Sequence, residues 1–346
     1  MKVFESALET PPQVICIGEA LVDRLGGIGK DLSLDDEFQD CLGGAPANVA
    51  CALGRLGVDV AFLGRLGDDW ILTDFQKVLI DRKVNISGLQ VDNKRPSRVV
   101  LVSRDSKGDR SFGGFYGDSG DGFADQAIAL SGIRDHWDLL ARDSKWLVLG
   151  TIPLASKISS DSIFWTVEKA IKSKIKIALD VNWRPTFWDS ALNSDQGPNR
   201  LAFAAIKPLF EVASLLKLAK EEAIWFFDTN DPAAISSSLP QSPDVVITNG
   251  NEPIRWKLSS FIGECLAFTD QSVVDTTGAG DAFTAGLIHQ LLRLNNIVNS
   301  KSKAEEVIRF SNACGAIVCS GAGAIDPQPN NSEVLQFLSS SNGGCN

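Results

Sequence analysis

Short apolar runs alternate with helical segments along most of this chain, and that alternation narrows the possible folds more than any other feature. Val14-Ile15-Cys16-Ile17-Gly18, Val58–Leu63, Trp146–Leu149, Ile175–Leu179 and Val245–Thr248 each read as a buried strand. Pro46–Leu56, Asp161–Ile171, Leu201–Phe210, Lys220–Phe227, Asp281–Leu292 and Ala304–Val318 carry apolar residues at helical spacing. Strands that are apolar on both sides need cover on both faces, and helical crossovers supply it. The expectation is an α/β chain: a mostly parallel central sheet between helical layers, joined by right-handed crossovers.

Two stretches break the pattern. Leu21–Cys41 reads as loop-like and Gly-rich, and Arg98–Tyr116 as two short strands joined by Asp105-Ser106-Lys107-Gly108-Asp109-Arg110. Small antiparallel pieces inserted in an α/β chain often form a lid, and an edge hairpin is the plainer alternative. With 346 residues, the chain is expected to have a flexible lead-in at 1–13 and one domain over 14–330. The lid segments fall at about 21–41 and 98–116, and residues 331–346 read as a loose tail.

The net charge is −10. An acidic surface disfavours nucleic acid and anionic lipid, because both need exposed Lys and Arg, so neither is expected as a partner. Only two histidines, His136 and His289, are present, which excludes His-rich metal sites. The seven cysteines contain no C-x-x-C pair and read as reduced. Met1–Pro12 does not read as a secretory signal, and Phe310–Ile325 falls short of the ~18 residues that a membrane span needs. A soluble, cytoplasmic protein is expected.

The richest stretch for chemistry is Asp275-Thr276-Thr277-Gly278-Ala279-Gly280-Asp281, which follows an apolar pair and opens a helix. Small residues at 278–280 let backbone N–H groups converge at a helix N-terminus, where the dipole favours an anion. Asp281 beside those donors suits the deprotonation of an alcohol while charge is stabilised on a transferred group. A tight turn with a helix-capping Asp is the simpler reading of the same residues. No Walker-type phosphate loop, dinucleotide fingerprint or nucleophile elbow is present. Upstream, Gly43-Gly44-Ala45-Pro46-Ala47-Asn48 pairs a close-approach turn with an amide one turn into a helix, suited to a sugar hydroxyl or to tying down local backbone.

Together, Gly43-Gly44-x-x-x-Asn48 and Asp275–Asp281, in this order, resemble the two signatures of the ribokinase-like (PfkB-type) carbohydrate kinases, most closely the fructokinases. The resemblance runs from about Val14 to Pro329 and implies a ribokinase-like αβα sandwich with a small β-sheet lid. It also implies ATP-dependent phosphorylation of a sugar's primary hydroxyl, with Mg²⁺ and with K⁺ as an open further ion, in a homodimer joined through the lid. By the same resemblance Asp281 is the catalytic base, and Gly278, Ala279 and Gly280 form the anion hole. Asp23, Gly43, Gly44 and Asn48 hold the sugar, with Asn182 and Arg184 near the transferring phosphate. Lys217, Thr248, Gly250, Asn312 and Gly323 lie on the nucleotide side, and Glu222 is the metal residue.

Some residues depart from the family pattern. Ala219 stands where the magnesium motif has Asn, and Gly117 where the fructokinase lid has Arg. Fructose is therefore the leading acceptor, with 2-keto-3-deoxygluconate, ribose or a nucleoside as alternatives. An inactive binding protein is the reading from another class. Asp68-Asp69 reads as the cap of a helix beginning near Trp70, and His289 as a packing residue.

Overall fold

The computed structural model describes residues 11–28, 38–104, 110–118, 120–193, 195–268 and 272–341. Residues 1–10 of the lead-in, 29–37 of the first lid segment, the 105–109 connector and 342–346 of the tail lie outside the described residues. In chain order the strands are β1 (Val14–Ile17), β2 (Leu21–Ile28), β3 (Gln39–Gly43), β4 (Val60–Gly67), β5 (Leu89–Asp92), β6 (Arg98–Arg104) and β7 (Arg110–Tyr116). There follow β8 (Trp146–Leu149), β9 (Lys176–Asp180), β10 (Leu215–Ala219), β11 (Asp244–Thr248), β12 (Ile254–Leu258) and β13 (Phe261–Cys265).

The large sheet runs β13-β12-β11-β10-β9-β8-β1-β4-β5. It is parallel from β11 to β5, and β12 and β13 add antiparallel strands at one edge. Period-two alternation decides which face each residue joins. Val14 and Cys16 enter a core beneath the helices Ala45–Arg55, Ala279–Arg293 and Lys301–Val318, while Ile15 and Ile17 enter the core on the opposite face. A helical layer on each side explains why β1 is apolar throughout.

A second sheet, β3-β2-β6-β7, stands apart from the first. The two strands expected at 98–116 are β6 and β7. The reading of Leu21–Cys41 as loop-like is corrected, because its described residues belong to β2 and β3. Gly26-Gly27 weakens the local strand signal there, and the ladder that holds β2 comes from β6, far along the chain. Arg98 fastens this small sheet to the rest of the fold. Its guanidinium donates to both oxygens of Asp125 at 2.8 and 2.9 Å. It also lies 4.7, 4.5 and 4.9 Å from the ring centres of Phe115, Phe123 and Phe187. Phe115 belongs to β7 and Phe187 to the short helix Pro185–Trp188, so one buried cation joins both parts. Removing one partner of such a pair typically costs about 3–5 kcal/mol.

The C-terminal end is also corrected: Asn331–Ser340 is a helix and not a loose tail. Asn330 accepts from the Glu333 N–H while Glu333 accepts from the Asn330 N–H, a reciprocal cap. Val334 and Phe337 are buried, Phe337 edge-on to Phe268. The Ser- and Gly-rich end of the segment masks this apolar face. Elsewhere Asp69 caps Trp70–Asp81 as expected, accepting from Ile71 and Leu72. His289 stacks on Phe310, and burial lowers its pKa to about 4, so it is a neutral packing residue. Among the described residues no helix is long and apolar enough to cross a membrane.

Candidate active site

The sheet order changes direction at β1, with β4 on one side and β8 on the other, and open α/β sheets form their crevice at such a point. A cleft of about 500 Å³ lies there, walled by the segments leaving β1 and β9, by the small sheet and by the turn before Ala279–Arg293. Asp23, Gly44, Asn48, Asn182, Arg184, Lys217, Gly278, Gly280 and Asp281 all line it. The two glycine signatures therefore meet in one place.

Local geometry requires glycine at two points. Gly44 precedes the Ala45–Arg55 helix at φ +98°, and a Cβ there would lie 2.6 Å from the Glu19 carbonyl oxygen. Gly278 precedes Ala279–Arg293 at φ +78°, and a Cβ there would lie 2.6 Å from that of Ala324. Asp275 fixes the second turn from behind. One of its oxygens accepts from Thr277 N and Oγ1 at 2.9 and 2.7 Å, and the other accepts from Gly323 N at 2.9 Å.

At the cleft floor, Asn48 Nδ2 donates to Asp281 Oδ2 at 2.8 Å. Asp281 titrates at about 6, above the usual carboxylate range. Desolvation raises it most and Asp180 adds to that, while the Asn48 bond, Lys217 and Arg184 pull it down. A carboxylate titrating just below neutrality can both hold and release a proton at physiological pH. Lys217 Nζ pairs with Asp180 at 3.1 Å and lies 3.0 Å from where a Cβ at Gly280 would stand. Burial alone would lower its pKa, but Asp180, Glu222 and Asp281 together raise it, which keeps it cationic. The floor thus combines a tunable base, an ammonium and a helix N-terminus, a set suited to an anion.

Other expected site residues do not reach this cleft. Gly43 sits behind it, where a Cβ would lie 3.1 Å from Asp23 Oδ2. Ala279 is the first residue of its helix but is not part of the cleft wall. Thr248 ends β11, and Gly250 follows at φ +54° beside a separate hollow lined by Lys220, Asn249 and Glu252. Asn312 Nδ2 donates to Leu266 O at 2.8 Å, tying its helix to the exit of β13. Gly323 borders another hollow, near Cys41. Glu222 is held as a cap: its oxygens accept from Trp183 N at 2.6 Å and Ala219 N at 2.7 Å. No group of three His, Cys, Asp or Glu among the described residues forms a metal cage. Gly117, at φ +95°, lies outside the cleft wall.

Glu19 is a site residue the sequence reading did not single out. It is 1 % exposed, lines the cleft, accepts from Ala45 N at 3.2 Å through Oε1, and leaves Oε2 without a partner. Burial, reinforced by Asp125 and Asp281, raises its titration to about 8. The available signal was a Glu at the very end of an apolar strand.

Comparison with known proteins identifies the family and the fold. The model of the pfkB family carbohydrate kinases matches residues 11–331. The chain is 29% identical over 340 residues to Probable fructokinase-6, chloroplastic, of Arabidopsis thaliana, covering 96% of this chain and 84% of that protein. A fructokinase from Xylella fastidiosa with bound ATP superposes with a TM-score of 0.79 at 25% identity, covering 94% of this chain and 98% of that one. A fructokinase from Vibrio cholerae O395 in its fructose-, ADP- and calcium-bound form superposes with a TM-score of 0.75 at 25% identity, covering 96% and 100%.

Proposed function

The chain belongs to the pfkB family of carbohydrate kinases, and from that premise we propose that it transfers the γ-phosphate of ATP to the primary hydroxyl of fructose, giving fructose 6-phosphate. The observation that carries this reading is the convergence of Asp281, Asn48 and the Gly278–Gly280 helix start in one cleft with Asp23. Asp281 takes the hydroxyl proton. The oxygen so released forms a bond to the γ-phosphorus as the bond to the ADP oxygen breaks. N–H groups at the start of Ala279–Arg293, with Lys217, face the negative charge of the moving phosphoryl group. Most of the acceleration then comes from positioning and fixed charge.

Asp23, facing the cleft from β2, is the reader of sugar hydroxyls in this proposal, and Asn48 aligns both the sugar and the base. Magnesium accompanies ATP as its counter-ion. Glu222 is occupied by backbone N–H groups, and no carboxylate cage for that ion is present among the described residues. Assays with K⁺ and with choline replacing it decide the monovalent-ion requirement.

A sugar acid such as 2-keto-3-deoxygluconate is the second reading, favoured by the Arg184 guanidinium on the cleft wall, which would pair with a carboxylate. A panel of fructose, ribose, a nucleoside and 2-keto-3-deoxygluconate, read by ADP release, decides between them. Preference for fructose is expected, and turnover of the sugar acid alone would replace it. We also place two chains together through the open edges of the small sheet, checked by light scattering. Seven cysteines without a C-x-x-C pair, Cys16, Cys51 and Cys314 among them as buried free thiols, support a reducing compartment, the cytoplasm in this proposal. The chloroplastic relative makes fractionation the deciding measurement.

A further inference from the structure

Asp180 plays no part in that mechanism. It closes β9, is 4 % exposed and does not line the cleft. Its two oxygens nevertheless engage both elements that build the transfer site. Oδ1 receives Lys217 Nζ from β10, its partner in strand register. Oδ2 receives Thr284 Oγ1 at 2.9 Å, from the helix that carries Asp281. Thr284 lies three residues beyond Asp281, so both project from one helical face. The Thr284 hydroxyl is also 3.0 Å from Gly280 O, at the turn itself.

We propose that Asp180 is a positioning residue for phosphoryl transfer: from behind the cleft wall it anchors the Lys217 ammonium at the Gly278–Gly280 turn and sets a second carboxylate against Asp281. The proposal rests on the reading of Asp281 as the base. An ammonium on a flexible four-carbon stem explores many positions unless a buried partner holds it. Side-chain exposures of 12% and 5% show that this pair is shielded from water, where an ion pair is strongest. An ammonium already in place needs no reorganisation as charge moves onto the phosphoryl group.

The same carboxylate opposes ionisation of Asp281, because two neighbouring negative charges disfavour each other. The charged groups facing Asp281 are Asp180 on β9, Lys217 on β10, Arg184 beyond β9 and Glu19 beyond β1. Neutralising Asp180 therefore lowers the Asp281 titration, and removing Lys217 raises it.

Asp180→Asn keeps the shape and one acceptor but removes the charge. Two quantities are read: the acid limb of kcat/KM, and the Asp281 carboxyl titration by carbon NMR, its signal identified by loss in Asp281→Asn. In Asp180→Asn both should move down by roughly one pH unit, with kcat reduced about tenfold. In Lys217→Met the NMR titration should move up. An Asp281 titration unchanged in Asp180→Asn, or moving the same way in both variants, overturns the proposal. Should Asp180→Asn fail to fold, Lys217→Met decides alone, and an upward shift is required. The NMR reading needs no turnover. A wild type that phosphorylates no sugar therefore defeats the kinase mechanism, and the electrostatic role of Asp180 is still judged by its titration.

Discussion

Asn48 Nδ2 and Asp281 Oδ2, 233 residues apart in sequence, lie 2.8 Å apart in the cleft, so the first helix of the fold holds the carboxylate carried by a late one. The amide oxygen of Asn48, Oδ1, is buried with no partner. A buried acceptor left open costs about 1–3 kcal/mol unless something fills it, which suits a residue awaiting a hydroxyl.

The amide bond favours the ionised form of Asp281, so its removal has a definite sign. Wild-type kcat/KM should fall as pH drops through about 6, because the base works only when deprotonated. Asn48→Ala should move that limb to higher pH, with roughly a tenfold loss near neutrality that is partly recovered in alkali. A limb moving to lower pH would contradict the role of this bond.

Asp281→Asn should lower kcat by roughly 10²–10⁴ and leave ATP affinity close to wild type. Calorimetry of nucleotide binding beside steady-state rates separates the two. Near-normal turnover removes Asp281 from the role of base.

Glu19 offers a stability test. Its folded titration, about 8, lies above its ordinary 4.5, so folding favours the neutral form. The associated stability is complete below about 4.5 and is lost as pH rises through about 8. Gln imitates the neutral acid. Glu19→Gln should therefore melt with the wild type at pH 4 and above it at pH 9, as differential scanning fluorimetry can show. Equal melting temperatures at pH 9 would refute the raised titration.

Gly278→Ala combines a φ of +78° with a Cβ 2.6 Å from that of Ala324. A loss of about 1–3 kcal/mol in denaturant unfolding is expected, together with a loss of rate on the order of 10²-fold from the displaced turn. Gly280 is different, since a Cβ there meets only the far end of the Lys217 side chain. Gly280→Ala should fold normally yet slow turnover.

Asp23→Ala should raise the sugar KM at least about tenfold and barely change that for ATP. An effect on ATP alone would reverse the assignment of the two sides of the cleft. Placing arginine at 117 is not expected to restore a fructokinase-like lid contact, because the backbone there is left-handed and outside the cleft wall.

What was legible in the sequence was the local periodicity and the glycine turns. Trp146–Leu149 and Lys220–Phe227 form with the expected bounds, and Asn48 and Asp281 meet as their signatures imply. What was not legible depends on partners distant in the chain. β2 exists because β6 supplies its ladder, and Asp180 meets Lys217 and Thr284 only in the folded chain. Glu222 shows what spacing leaves out: both its oxygens accept from backbone N–H groups. Asn312 is likewise taken up by Leu266. Composition hid the last helix, whose Val334 and Phe337 stand in a Ser-rich run.

The caged Arg98 has a mechanical consequence. It rivets the small sheet at the start of β6, and that strand runs on from it for six more residues. At about 3.3 Å per residue the free arm is roughly 20 Å long. Sliding the sheet as a plate would require pulling a guanidinium out of its aromatic box. Tilting about the rivet would leave the box intact and, on an arm of that length, would move its end several ångströms for a tilt of about ten degrees. On the lid role expected for this sheet, the motion it is suited to is a tilt about Arg98, beside Glu19.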